Sequence, residues 1–119
     1  MNETQSLLQT IVEGIQEKKG KKITVVDLSE LEGPVYSYFV ICEGNSTTQV
    51  SSIADSIKDY VREKIRIKPF ATDGYQNAQW IVLDYGEILV HVFLRETRDF
   101  YKLESLWSDG KITDIPDVL

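Results

Sequence analysis

A chain of 119 residues with a formal net charge of −6 makes one domain with an acidic surface, long enough to bury a core without disulfides or metal. That balance argues against broad contact with a phosphate backbone, because there is little excess of Lys and Arg to release counterions. The single cysteine, Cys42, excludes an internal disulfide and a cysteine-based zinc cluster and fits a reducing cytoplasm. No run of ~18 apolar residues and no basic-then-apolar leader is present, so the protein is expected to be cytoplasmic, neither membrane-spanning nor secreted.

Residues 3–19 carry Leu7, Leu8, Ile11, Val12 and Ile15 at helical spacing, and Lys18-Lys19-Gly20 supplies a basic last turn and a stop. Ile23 to Asp27 is short and β-branched and reads as a strand. Gly33-Pro34 places residues 30–36 in a loop. Tyr38 to Cys42 is a continuous apolar run, as in a central strand covered on both sides. Gly44-Asn45-Ser46 breaks that strand, and Ser46-Thr47-Thr48-Gln49 fits a capping box with Gln49 reaching back. The helix behind it has Val50, Ile53, Ala54, Ile57 and Val61 on one stripe and runs to about Ile65, before Lys68-Pro69. A short edge strand near Phe70 and a loop at Asp73-Gly74 lead to a hairpin over 80–93.

In the hairpin, Tyr85-Gly86 is the expected two-residue turn, pairing Trp80 with His91, Val82 with Leu89 and Asp84 with Glu87. Alternation then puts Ile81, Leu83, Ile88, Val90 and Val92 on a wholly apolar core face. The other face carries Trp80, Val82, Asp84, Glu87, Leu89, His91 and Phe93. Large apolar groups mixed with charges are costly in a buried layer and suit a docking surface. Residues 96–107 form a last short helix with Phe100, Leu103 and Leu106 or Trp107 inward, Trp107 serving as core or as a lid on the sheet edge. The expected organisation is one domain over 1–107 and a loosely packed tail over 108–119. The fold class is α/β, a mixed sheet of about five strands with covering helices.

Little of this spells catalysis. The Gly44-Asn45-Ser46 turn before a helix suits an anion, but a turn and cap account for it without a ligand, since no P-loop lysine accompanies it. A nucleotidyl-transfer site needs a carboxylate pair on one strand face for two metal ions. The hairpin offers Asp84 alone at the turn, with Glu87 beyond it. The topology, where it resembles a nucleotidyltransferase, is therefore a shell without the catalytic carboxylates, and no metal or cofactor is expected. For Asp84, solvation at the hairpin tip and docking are both open readings. His91 lacks a neighbouring nucleophile or further metal ligands, and either packs against Trp80 or meets a partner. Cys42 at the end of an apolar strand reads as an inert buried thiol. Trp80 is the one large aromatic that alternation places off the strict core face, and tryptophan is the residue type most often found at interface hot spots.

Several segments together resemble the ribosomal silencing factor family (RsfS, also called iojap). They are Tyr38-Phe39-Val40-Ile41-Cys42-Glu43-Gly44-Asn45-Ser46, Val50 with Ile53-Ala54-Asp55, Asp73-Gly74, Trp80-Ile81-Val82-Leu83-Asp84-Tyr85-Gly86, Val90-His91-Val92-Phe93, and Phe100-Tyr101 with Leu103, Glu104, Leu106 and Trp107. The likeness spans about residues 5–107 and departs at Ser37 and Asn45, where the family usually has an acidic residue and a threonine. It implies an α/β fold related to nucleotidyltransferases but without their activity. It implies binding to the large ribosomal subunit through ribosomal protein L-fourteen, steric exclusion of the small subunit, and lower translation when nutrients are short. On this reading Trp80 is the anchor, Val82, Leu89 and Phe93 give apolar area, and Asp84, Tyr85 and His91 give polar contacts at the rim. The same face can pair with itself in a homodimer when the ribosome is absent. The alternatives are a nucleotidyltransferase-like nucleotide-binding protein, and a small RNA-binding module, which the acidic charge disfavours.

Overall fold

The computed structural model describes residues 2–106 and 108–118. Helix α1 (Glu3–Glu17) starts at a reciprocal cap in which Asn2 accepts from the Gln5 amide at 2.8 Å and Gln5 reaches back. Strands β1 (Lys21–Asp27) and β2 (Tyr38–Gly44) follow, then α2 (Thr47–Ile65), β3 (Ala71–Asp73), β4 (Trp80–Asp84), β5 (Ile88–Leu94), the short helices α3 (Arg95–Tyr101) and α4 (Leu103–Leu106), and β6 (Lys111–Ile115). The sheet has six strands in the order β3-β4-β5-β2-β1-β6. β2 and β5 run parallel at its centre and every other pairing is antiparallel.

The expected periodicities hold where burial sets them. Val50, Ile53, Ala54, Ile57 and Val61 are the buried residues of α2. With Leu7, Ile11 and Ile15 of α1 they cover one face of the sheet, against Ile81, Leu83, Ile88, Val90 and Val92. α1 approaches α2 closely at Gly14, where an added Cβ would stand 3.0 Å from the Ile57 Cα, and Ser56 donates to the Gly14 carbonyl at 2.8 Å. The opposite sheet face holds a smaller cluster of Val26, Leu28, Phe39, Ile41 and Phe93, flanked by the partly buried Leu31, Tyr36, Trp80, Leu89 and Leu103. Cys42 lies in the larger core, where burial pushes its thiol up to about 12.

Three expectations are corrected. The turn residues are Gly86-Glu87, not Tyr85-Gly86: the Tyr85 amide donates to the Ile88 carbonyl at 2.9 Å and Gly86 takes φ +88°. Trp80 therefore lies opposite Phe93, Val82 opposite His91 and Asp84 opposite Leu89. Moving the loop by one residue changes each pairing by two, so both faces keep their membership. The gain is that Tyr85, as a strand-end residue rather than a loop residue, turns its ring into the core. The second correction concerns the last helix, which breaks at Lys102 in the left-handed region, φ +49°. Its inward residue is Arg98, while Phe100 and Leu106 are exposed and Leu103 is partly buried; Trp107, expected inward or as a lid, lies outside the described residues. Third, the segment expected to be a loose tail supplies β6, paired along β1 from Ile23–Ile115 to Asp27–Lys111, which raises the strand count to six. The β-branched Ile112, Thr113 and Ile115 are a strand signal that a following Pro116 obscures.

Candidate functional site

Strand β4 is flanked by β3 on one side and β5 on the other, so its residues alternate strictly between the two faces. Trp80 opens it on the thinly covered face and is half-buried. Its indole stacks on Phe93 at 4.8 Å between centroids and leans against Tyr101 of α3 at 5.0 Å. Its Nε1–H donates to Nδ1 of His91 at 3.0 Å. The tryptophan is thus neither core nor loose: one ring face is packed, its polar edge is bonded, and the remainder meets solvent.

Val82, Asp84 and Leu89 share this face and are also half-buried. Asp84 is occupied by local work, because one carboxylate oxygen accepts from the Tyr36 hydroxyl at 2.9 Å and the other from the Gly86 amide at 2.8 Å. The bond to Asp84 raises the Tyr36 pKa, since a phenolate there would face a carboxylate. Ser37 donates to Glu87 at 2.7 Å, and an acidic residue in its place would repel Glu87. Together these bonds tie the 28–37 loop to the hairpin tip.

Three residues expected at the docking surface sit deeper. Phe93 is fully buried beneath Trp80. His91 is 4% exposed, packed edge-on to Phe39 at 5.1 Å, and burial drives its pKa down to about 4. Tyr85 lies in the core layer on the other side of the sheet, with its hydroxyl unpartnered among the described residues and its pKa raised by burial. It adds no surface to the Trp80 face. In exchange the tertiary structure adds Tyr101 and Phe100, whose rings meet at 5.1 Å and continue the aromatic row outward from Phe93 through Trp80. Phe100 is 80% exposed. An open cleft of about 500 Å³ lies beside this row, walled by Trp80, Tyr101, Thr97, Asp73 and Tyr75. Inward spacing over residues 96–107 hid Phe100 and Tyr101; the signal available was Arg98, whose stripe competes with that of Phe100 on so short a helix.

The Gly44-Asn45-Ser46 turn is closed by its own side chains. The Ser46 hydroxyl accepts from the Gln49 amide at 3.1 Å, and the Gln49 carbonyl oxygen accepts from the Asn45 amide at 2.7 Å. Gln49 thus reaches one residue further than a capping box requires, and it takes up an N–H that an anion would otherwise use. Among the described residues no group of three or more His, Cys, Asp and Glu is placed to hold a metal ion. No helix among them is long and apolar enough to cross a membrane.

The chain is similar to several known proteins. The Ribosomal silencing factor RsfS of Halalkalibacterium halodurans is 34% identical over 116 residues, covering 97% of each chain. A crystal structure of a Chromobacterium violaceum protein superposes with a TM-score of 0.84 at 29% identity, covering 90% of this chain and 88% of that one. A mouse protein named Mitochondrial assembly of ribosomal large subunit protein 1 is 29% identical over 103 residues, 85% of this chain and 45% of that longer one. Residues 1–119 match the family described as RsfS, Ribosomal silencing factor during starvation, and the chain belongs to that family.

Proposed function

We propose that this protein binds the large ribosomal subunit through ribosomal protein L-fourteen, beside the face where the small subunit docks, and blocks subunit joining by steric exclusion. Translation then falls when nutrients are short. The protein acts in the cytoplasm as a binding factor, without cofactor or catalysis. The observation that carries this reading is Trp80, half-exposed on a thinly covered sheet face, with its ring backed by Phe93 and its N–H bonded to His91. A pre-placed aromatic anchor with half-buried Val82 and Leu89 around it and the exposed rings of Tyr101 and Phe100 beside it is what a compact protein interface requires. The name of the mouse relative, which concerns the large subunit, supports the choice of particle. The net charge of −6 disfavours direct, sequence-specific contact with RNA and suits a basic protein on an RNA-rich particle. In the absence of large subunits the same face serves a second copy of the chain, which sedimentation across a concentration series reads.

The direct test mixes isolated ribosomal subunits with and without the protein and follows full particles by sedimentation. The protein is expected to shift the profile to free subunits. Trp80→Ala is expected to abolish the shift, losing roughly 30-fold or more in affinity, as for a hot-spot aromatic worth about 2–4 kcal/mol. Equal formation of full particles with and without the wild-type protein would sink the proposal.

A further inference from the structure

We propose that His91 is a positioning residue for Trp80. From behind the docking face, its Nδ1 fixes the indole in the one orientation that a partner meets. This rests on the docking role of Trp80 argued above. His91 is too buried, at 4% exposed, to touch a partner itself. It lies on the same face as Trp80, diagonally across the β4–β5 ladder, two pairs in from the Trp80–Phe93 pair. Among the described residues, the polar contact of its ring is the indole N–H, received on Nδ1 at 3.0 Å.

The chemistry of the ring supports a positioning role over simple packing. A neutral imidazole that accepts on Nδ1 must carry its proton on Nε2. That Nε2 is buried and unpartnered among the described residues. An unsatisfied buried N–H costs stability, and a phenyl ring would fill the space between Phe39 and Phe93 without that cost. What an imidazole supplies and a hydrocarbon cannot is the acceptor for Trp80. The stacking partners of the indole, Phe93 and Tyr101, set its depth but hold it weakly in rotation, being inclined to it by 27° and 46°. The hydrogen bond supplies the direction. A ring already held in its bound orientation spares the ordering cost of binding.

The experiment uses the full chain labelled with nitrogen-15. The Trp80 indole resonance is assigned by its loss in Trp80→Phe, and the His91 ring nitrogens report the tautomer of the wild type. Affinity for purified large subunits is read by co-sedimentation. The wild type is expected to show protonated Nε2, bare Nδ1 and a slowly exchanging indole proton. His91→Phe is expected to melt cooperatively, to speed indole exchange about tenfold, and to weaken binding about fivefold, the worth of one ordinary hydrogen bond. His91→Gln, which offers an oxygen acceptor, is expected to recover slow exchange and most of the affinity. A wild type protonated on Nδ1 overturns the inference outright, with no variant needed should His91→Phe fail to fold. So does fast exchange in His91→Phe with undiminished binding. Wild-type binding by Trp80→Ala instead refutes the docking role, and the tautomer and exchange results still decide whether His91 holds the indole.

Discussion

Arg98 is the residue on which the small layer depends, and removing it should reveal how much. Its guanidinium donates to the Lys22 carbonyl at 2.6 Å, to the Thr24 hydroxyl at 3.0 Å and to Glu43 at 3.2 Å. Thr24 in turn donates to Asp114 of β6 at 3.0 Å. One side chain thus joins α3 to β1 and β2 directly and to β6 through Thr24. The Lys22 carbonyl is available because a bulge between Lys21 and Thr24 turns the strand, with Lys22 at φ +50°. Arg98→Met leaves the Glu43 carboxylate, 5% exposed, inside the protein without its cation. Breaking a buried pair in this way costs about 3–5 kcal/mol, because the surviving charge has lost water and gained nothing. For a domain of this size about 4 kcal/mol lowers the melting temperature by about 15 °C. Glu43→Met on top of Arg98→Met removes the stranded charge and should recover about half of the loss or more, since apolar replacement of a whole buried pair is often close to neutral. Urea and thermal melts of the two single variants and the double give the coupling energy. A loss under about 1 kcal/mol for Arg98→Met, or single effects that simply add, would refute the view that this pair holds α3 to the sheet.

Three further outcomes are expected. His91 stays neutral in the fold with its pKa lowered from 6.5 to about 4, so its contribution is complete above about 6.5 and is lost as pH falls toward 4. Between pH 7 and 5 this amounts to about 2 kcal/mol, read as a urea midpoint that falls further in wild type than in His91→Phe. Gly74→Ala should cost at least about 2 kcal/mol, because Gly74 has φ +93° and a Cβ there would collide with the Trp80 carbonyl oxygen; a melt unchanged within error would contradict that geometry. Ser46→Ala removes the N-cap of α2 and should cost about 1 kcal/mol in a chemical melt. The same variant should leave magnesium-nucleotide calorimetry as flat as wild type, whereas saturable binding lost on substitution would return the turn to a nucleotide role.

The sequence alone determined whatever a local period or a local cap decides. Helix α2 ends where its apolar stripe ends, and both hairpin faces keep their members even though the register moved, because a two-residue change in pairing preserves alternation. Trp80 stood out for the same reason, and the family resemblance was carried by motifs spread from β2 through α2 and the β3–β5 strands to α3 and α4. Depth was decided elsewhere. Alternation assigns His91 and Phe93 to a face, but only the α3–α4 layer and the 28–37 loop determine how much of that face remains open. Tyr85 looked like a turn residue until burial of its ring drew the turn one residue onward. The exposed aromatics of α3 and the inward Arg98 exchanged their expected places, because a two-turn helix has too few residues for periodicity to choose between stripes. An ion pair with Glu43, 55 residues away in the chain, made the choice. β6 joined the sheet by the same kind of long-range pairing, since a short segment next to a proline becomes a strand when β1 offers it an open edge.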